Sequence, residues 1–330
     1  MAKNVVGLDQ TVHPWIAESG QRVRFGLGIL GWRAGGELIR LGQTAEKLGF
    51  DSYWVQDHPM GGPDCWTSLA ALAVTTERLR LGSIVSCVYY RSPALLARQA
   101  ADIDRLSGGR LVLGVGFGDN EEEFRKMNLP VPPVPERQAA LEETVQIVRG
   151  LWTEKPFTFK GVHFSVQDAT LPAGPVQQPR VPLLIAGGGE RVTLRQVAQY
   201  ADVSNFGESV HTGSARTLDD VRRKLAALRR HCESAGRPYE AILKSHIGLP
   251  VVLGESPDLL AAKLEAQFGG LSASQAAFHK ASAVAGTPED LIAYYRALIG
   301  LGIRYFIAAI YSDDAESYEL LADRVMPAFA

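Results

Sequence analysis

The chain has 330 residues, of which 46% are hydrophobic and 21% charged, and its formal net charge at pH 7 is -2. This is the composition of an ordinary globular protein, and the small net charge gives no electrostatic reason to expect nucleic acid or an anionic membrane as a partner. No apolar run is long enough for a membrane span, and the N-terminus lacks a signal peptide's apolar core, so we expect a cytoplasmic protein. The three cysteines form no C-x-x-C pair, so neither a disulfide framework nor a zinc ribbon is predicted.

Strand-like apolar segments alternate with helix-like segments along most of the chain. The strands are predicted at 23–29, 52–56, 79–86, 110–118, 181–189 (a strand together with its loop), 201–206, 243–253 and 302–310. Continuous apolar runs separated by helices are typical of parallel strands that are buried on both faces. Eight strand–helix units therefore predict an α/β fold, a (β/α)8 TIM barrel.

Three ranges fall outside the repeating pattern. We interpret residues 1–22 as an N-terminal extension that precedes a single barrel domain at 23–330, with insertions near 153–182 and 269–286. The alternative architecture is a doubly wound sheet, which needs a reversal of strand order that a sequence does not reveal.

The second predicted strand ends in Asp57 and His58, and a Pro/Gly-rich loop follows. In a barrel, side chains at the carboxyl ends of strands face the mouth, where active sites lie. A histidine there can give or take a proton near neutral pH, so His58 is a candidate general acid/base, with Asp57 beside it. The structural alternative is that the two residues only cap a strand and a helix. A metal site is not predicted, since the seven histidines are scattered and no His-x-His pair occurs.

Two glycine-rich stretches follow later strands. The first, at 114–118, does not complete a G-x-G-x-x-G fingerprint, and we interpret Gly116 and Gly118 as allowing a flat ring to lie against the backbone. Most of the glutamates that come next, at 121–123, are interpreted as favourable charges at a helix N-terminus. The second stretch, at 187–189, exposes backbone N–H groups before a helix and predicts either an anion site or a plain turn.

Four segments together resemble the luciferase-like flavin-dependent oxidoreductase superfamily, in particular its branch that uses the deazaflavin coenzyme F-420 (F420). They are residues 48–58, 77–124, 136–154 and 175–205. The resemblance implies a barrel whose mouth holds the coenzyme, with hydride transfer to or from a small organic substrate and His58 as general acid/base. It also implies that the third-strand segment backs the ring, often through a non-prolyl cis peptide, and that Asp57 orients His58 or contacts the ring. The residues implied to bind the coenzyme are His58, Ser83, Ile84, Val85, Ser86, Gly116, Phe117, Gly118, Gly187, Gly188, Gly189 and Glu190.

One residue departs from the pattern of that superfamily. Asp119 stands where an aromatic residue is expected, which leaves the shape of the substrate pocket open. We expect its walls to include Leu27, Gly28, Trp32 and Tyr89.

Other functions fit the same residues. An FMN-dependent monooxygenase that uses molecular oxygen would keep the fold and exchange the coenzyme, whereas a deazaflavin moves hydride without activating oxygen. A non-catalytic flavin- or deazaflavin-binding protein is a second alternative, and a metal-dependent hydrolase a third. The expected partners are a small-molecule substrate and a second copy in a homodimer, with no nucleic acid and no membrane.

Overall fold

The computed structural model describes residues 11–31, 35–207, 214–215 and 217–330. The strands are β1 (Arg24–Leu30), β2 (Ser52–Val55), β3 (Arg80–Ser83), β4 (Ser86–Cys87), β5 (Leu111–Gly116), β6 (Phe157–Lys160), β7 (Ser165–Ala169), β8 (Leu183–Ala186), β9 (Val203–Gly207), β10 (Leu243–Gly248), β11 (Val251–Leu253), β12 (Val284–Gly286) and β13 (Tyr305–Tyr311). The helices are α1 (Pro14–Ser19), α2 (Gly35–Lys47), α3 (Cys65–Thr75), α4 (Pro93–Leu106), α5 (Glu121–Lys126), α6 (Val134–Thr153), α7 (Thr193–Tyr200), α8 (Leu218–Ser234), α9 (Pro257–Phe268), α10 (Ala273–Ser282), α11 (Pro288–Gly300) and α12 (Ala315–Leu320).

The main sheet is a closed parallel barrel. In the part of the chain that the structure describes, its strand order is β3-β2-β1-β13-β10-β9-β8-β5-β4, and an additional pairing of β3 with β5 closes the ring. β3 and β4 are two halves of one barrel strand, separated by a cis peptide between Ile84 and Val85. The nine segments thus correspond to eight barrel strands, and the predicted (β/α)8 barrel is confirmed.

Alternate residues along each strand enter two separate cores. Phe25 and Leu27 of β1 belong to the outer core, between the strands and the surrounding helices. Trp54 of β2 belongs to the inner core, inside the barrel. Its indole occupies space that glycines leave free, since a Cβ at Gly26 or Gly82 would lie 2.5 Å or 2.2 Å from Trp54 atoms.

The helix α1 fills the N-terminal end of the barrel. Trp15 is 2% exposed and its ring meets Tyr305 edge to face, with the ring centroids 5.4 Å apart. Ile16 packs in the same inner core. The first ten residues of the predicted extension lie outside the described residues. Because this end is filled, the carboxyl ends of the strands form the accessible end of the barrel.

Two of the predicted strands are each divided into two in the structure. The segment 79–86 is divided at the cis peptide into β3 and β4. The segment 243–253 is divided into β10, which stays in the barrel, and β11, which pairs with β12 outside it. Pro250 lies between these two, and it has no N–H to donate to a strand ladder. A single uninterrupted strand over 243–253 is therefore wrong.

The ranges predicted as insertions carry structure of their own. Residues 153–182 contain the antiparallel hairpin of β6 and β7, and 269–286 contains α10 and β12. Among the helices described, none combines the length and apolar character needed to cross a membrane.

Candidate functional site

A cavity of about 270 Å³ opens at the carboxyl ends of the barrel strands. Its lining comes from residues at or just after the ends of β2, β4, β5, β8, β9 and β10. The predicted site residues that line it are Asp57, His58, Ile84, Val85, Gly116, Phe117, Gly118, Gly187 and Gly188. Six segments far apart in sequence thus meet at one place, as the parallel arrangement of the strands requires.

His58 is held by a carboxylate from another part of the chain. Its Nδ1 lies 2.9 Å from Glu123 Oε2, and the Tyr90 hydroxyl donates to the same oxygen at 3.0 Å. The side chain of His58 is 41% exposed, whereas that of Glu123 is 6% exposed. Burial raises the pKa of Tyr90 above its ordinary value, so its hydroxyl keeps its proton and acts as a donor.

The Asp57 carboxylate forms its hydrogen bonds with groups other than His58. It accepts from the Ser86 hydroxyl at 2.9 Å, from the Cys87 backbone N–H at 3.2 Å and from both terminal nitrogens of Arg91. These contacts join the end of β2 to β4, and they use both carboxylate oxygens. That Asp57 orients His58 stays a prediction, and the hydrogen bonds described for the two residues go to different partners.

The wall formed by the third barrel strand depends on glycines in the fourth. A Cβ at Gly116 would lie 2.5 Å from Val85 Cγ2, and one at Gly114 would lie 2.0 Å from the Ser83 carbonyl oxygen. The Ser83 hydroxyl also bonds to both backbone groups of Gly114, at 2.8 and 3.0 Å. The backbones of Ser83 and Gly114 are therefore in direct contact, and the Ile84–Val85 peptide that follows Ser83 lines the cavity.

Ser83 and Ser86, two of the residues predicted to back the ring, form hydrogen bonds with neighbouring protein groups. Ser83 and Ser86 are fully buried and are not among the cavity residues. Ser83 bonds to Gly114, and the Ser86 hydroxyl receives hydrogen bonds from Trp66 and Arg91 while donating to Asp57.

The profile of the luciferase-like monooxygenase family matches residues 23–305. The chain belongs to this family. The resemblance inferred from the four sequence segments is thereby confirmed at the level of the family.

Relatives of this luciferase-like chain include enzymes named for two coenzymes. It is 34% identical to the F420-dependent glucose-6-phosphate dehydrogenase of Intrasporangium calvum over 205 residues, 57% of this chain and 59% of that protein. It is 32% identical to the FMNH(2)-dependent dimethylsulfone monooxygenase of Pseudomonas putida over 195 residues, 57% of this chain and 53% of that protein. The chain thus covers less than two thirds of the length of these relatives.

Solved structures share the fold of the luciferase-like chain. The F420-dependent tetrahydromethanopterin reductase of Methanopyrus kandleri has a TM-score of 0.78 at 21% identity, covering 94% of this chain and 100% of that one. An F420-dependent secondary alcohol dehydrogenase, solved with an F420-acetone adduct, has a TM-score of 0.78 at 21% identity, covering 93% and 99%. These likenesses support the barrel assignment.

In this luciferase-like chain the loop after β8 lies on the cavity through Gly187 and Gly188. Gly187 has a φ of +115°, and the carbonyl of Gly188 accepts from the buried Lys224 ammonium at 2.7 Å. Gly189 and Glu190, which were predicted to join them, are not among the cavity residues. The Glu190 carboxylate accepts instead from Arg223 Nε at 2.8 Å.

The predicted substrate-pocket residues have different surroundings. Leu27 is 1% exposed in the outer core, and neither it nor Gly28 lines the cavity, so a role in substrate binding stays a prediction for both. β1 turns Leu27 outward because alternate residues of a strand point to opposite faces. Tyr89 packs against Phe124 and Phe164 and is also absent from the lining, so its role in the substrate pocket likewise stays a prediction. Trp32 lies outside the described residues.

Several cavity residues were not in the predicted set. They are Gln56, Cys87, Tyr90, Asp119, Asn120, Ala186, Asn205, Phe206, Gly207, Ser214, Ile247 and Leu249. Most of them directly end or follow a barrel strand, so the rule that strand ends face the mouth would have found Asn205 and Ile247. The sequence did not indicate that Glu123 contacts the site. It lies in an acidic helix start and not at a strand end, so a favourable charge at the helix N-terminus explains it equally well.

The described side chains around the cavity include neither a reactive thiol nor a group suited to bind a metal ion. Burial raises the pKa of the Cys87 thiol to about 12, so it is protonated at neutral pH. Within the described ranges no group of three or more His, Cys, Asp or Glu residues is arranged to hold a metal ion.

Proposed function

We propose that this chain is an F420-dependent oxidoreductase that transfers a hydride between the deazaflavin and a small organic substrate. The observation that carries the proposal is the placement of His58 in a cavity whose wall is the Ile84–Val85 peptide packed on Gly116. The names of the relatives in Intrasporangium calvum and other bacteria support the choice of coenzyme.

The residues present fit a flat ring with an anionic tail. Ile84, Val85 and the backbone of 116–118 offer an apolar surface with little side-chain volume, and a Cβ at Gly116 or Gly118 would strike neighbouring side chains. These residues would hold the ring, and the backbone at Gly187 and Gly188 would take the tail phosphate. When bound, the deazaflavin supplies a centre that exchanges a hydride in one two-electron step.

The protein's own part is to place the substrate and manage a proton. His58 would take the proton of a substrate hydroxyl when the substrate is oxidised, and would return it when a carbonyl is reduced. The apolar wall of Ile84 and Val85 would limit the access of water to the reacting atoms. Asp57 would keep the turn between β3 and β4 in place through its bonds to Ser86 and Cys87.

Binding measurements test the choice of coenzyme. Purified protein, stripped of any coenzyme, is titrated with F420 and with FMN, and the two dissociation constants are compared by fluorescence. We expect F420 to bind at least about tenfold more tightly, a difference of about 1.4 kcal/mol. Equal affinities, or tighter binding of FMN, would contradict the proposal.

The FMN-dependent monooxygenase is the second candidate, because of the similarity to the Pseudomonas putida enzyme. If the chain is an FMN-dependent monooxygenase, it should consume oxygen when given substrate and reduced FMN. If it is an F420-dependent oxidoreductase, it should consume no oxygen with reduced F420. Tight binding of either coenzyme without turnover of any alcohol or carbonyl in a broad panel would favour a binding protein.

Two further properties belong to the proposal. We propose that the enzyme works in the cytoplasm and as a homodimer. Sedimentation equilibrium of the purified chain would give twice the monomer mass of 35.8 kDa if the second statement is right.

A further inference from the structure

Three adjacent glutamates begin α5, and the third, Glu123, contacts His58. Glu121 pairs with Arg125 and Arg137, and Glu122 pairs with Lys126 with a side chain that is 72% exposed. The carboxylate of Glu123 is 6% exposed and lies against His58. The difference follows from helix geometry, since successive residues are rotated by about 100° around the axis.

Donors and acceptors at Glu123 determine which nitrogen of His58 carries its proton. An ionised carboxylate only accepts hydrogen bonds, so the nitrogen at 2.9 Å, Nδ1, must be the donor. The Tyr90 hydroxyl also donates to Oε2, at 3.0 Å. The remaining ring nitrogen, Nε2, has no hydrogen-bond partner among the described residues. In neutral His58 this nitrogen is an acceptor, able to take a proton from a substrate.

Two neighbouring ionisable groups have other roles. Asp57 is bound to Arg91, and burial keeps the Cys87 thiol protonated at neutral pH. Glu123 is in direct contact with the imidazole. Its negative charge favours the imidazolium that forms when Nε2 takes a proton.

We propose that Glu123 is a positioning residue that keeps the His58 proton on Nδ1 and presents Nε2 to the substrate, while the Tyr90 hydroxyl donates to the same carboxylate oxygen. This inference rests on the proposed role of His58. It replaces Asp57 by Glu123 as the partner of the histidine.

Nuclear magnetic resonance of the coenzyme-free protein tests this without activity. In 15N-labelled protein, the shifts of the His58 ring nitrogens report which nitrogen carries the proton. The wild type should have its proton on Nδ1, and in Glu123→Leu, which removes the acceptor, the proton should no longer be confined to Nδ1. The matched control is Glu122→Leu, on the same helix and exposed, which should keep the wild-type tautomer. A wild-type proton on Nε2, or an unchanged tautomer in Glu123→Leu, would overturn the inference.

Tyr90→Phe gives a second test. It removes the other donor to Glu123 Oε2 and leaves the carboxylate in place, so the His58 proton should stay on Nδ1. A merely structural cluster of the three residues would lose the tautomer in either variant. Tyr90→Phe keeps the inference testable if Glu123→Leu does not fold, and a His58 proton on Nε2 would contradict it.

Kinetics separates this inference from the function on which it rests. In the loaded enzyme, Glu123→Leu should reduce kcat by about 10- to 100-fold, with coenzyme affinity kept. If His58→Ala leaves turnover unchanged, the proposed function fails. If His58→Ala abolishes turnover while Glu123→Leu changes neither the tautomer nor kcat, only the positioning role fails.

Discussion

Asp57 and Arg91 form a buried ion pair beside the cavity. Arg91 Nη2 donates to Asp57 Oδ1 at 3.1 Å and Nη1 donates to Oδ2, and the side chains are 10% and 1% exposed for Arg91 and Asp57. The same carboxylate receives the Ser86 hydroxyl and the Cys87 backbone N–H. Asp57 therefore joins two barrel strands, while the adjacent His58 bonds to Glu123.

Arg91→Met should destabilise the protein strongly. It leaves the Asp57 charge buried without its cation, and breaking such a pair costs about 3–5 kcal/mol. The matched control is Arg98→Met, which breaks the Arg98–Asp102 pair, whose side chains are both 44% exposed. An exposed pair four residues apart on a helix contributes about 0.3–0.5 kcal/mol. Urea denaturation measures both, and a similar loss of unfolding free energy in the two variants would argue against a structural role for Asp57.

His58→Ala should reduce turnover by about 10²- to 10⁴-fold, the usual contribution of a general acid/base. Coenzyme affinity should change little, because the wall at Ile84 and Val85 is unaltered. Steady-state rates and a binding titration check the two quantities separately. His163→Ala is the control, since His163 precedes β7 in the hairpin and does not line the cavity. Wild-type turnover in His58→Ala would remove the histidine from the mechanism.

Gly116→Ala should weaken coenzyme binding. The added methyl would lie 2.5 Å from Val85 Cγ2, so the wall of the cavity must shift. We expect the dissociation constant to rise by about tenfold or more, which is about 1.4 kcal/mol. Adding Val85→Ala makes room for the methyl and should recover part of the affinity. In Gly36→Ala, the control, the methyl meets nothing within 4 Å. Identical affinities of Gly116→Ala and the wild type would mean that the ring lies elsewhere.

Because His246 is buried in its neutral form, the free energy of unfolding should fall in mild acid. His246 is 2% exposed between Phe206 and Tyr294, and burial lowers its pKa from 6.5 to about 4. The unfolded chain therefore binds more protons between these pH values, so stability is complete above pH 6.5 and falls as the pH drops toward 4. The share of this group is on the order of 3 kcal/mol.

The variant His246→Leu tests that assignment. Unfolding free energies at pH 7.5 and pH 5 should differ less in this variant than in the wild type. Some difference should remain, since burial also lowers the pKa of His13 to about 4. An unchanged difference in His246→Leu would show that other groups cause the acid sensitivity.

The sequence by itself determined the barrel and the position of His58. Both depend on local patterns, since apolar runs and helix stops identify each strand–helix unit, and the chemistry of a barrel lies at strand ends. Local patterns also identified the glycines beside the cavity. The same pattern includes Gly189 and Glu190 because they follow Gly187 and Gly188 in the chain, but these two do not line the cavity.

Only the tertiary structure decided which side chains meet. Glu123 is 65 residues from His58, and Arg91 is 34 residues from Asp57, and each contact joins different strand–helix units. No periodicity relates such pairs, because closure of the barrel and the direction of each side chain set their distance. Neighbouring residues such as Asp57 and His58 can therefore face different partners, and a sequence shows them only as a pair.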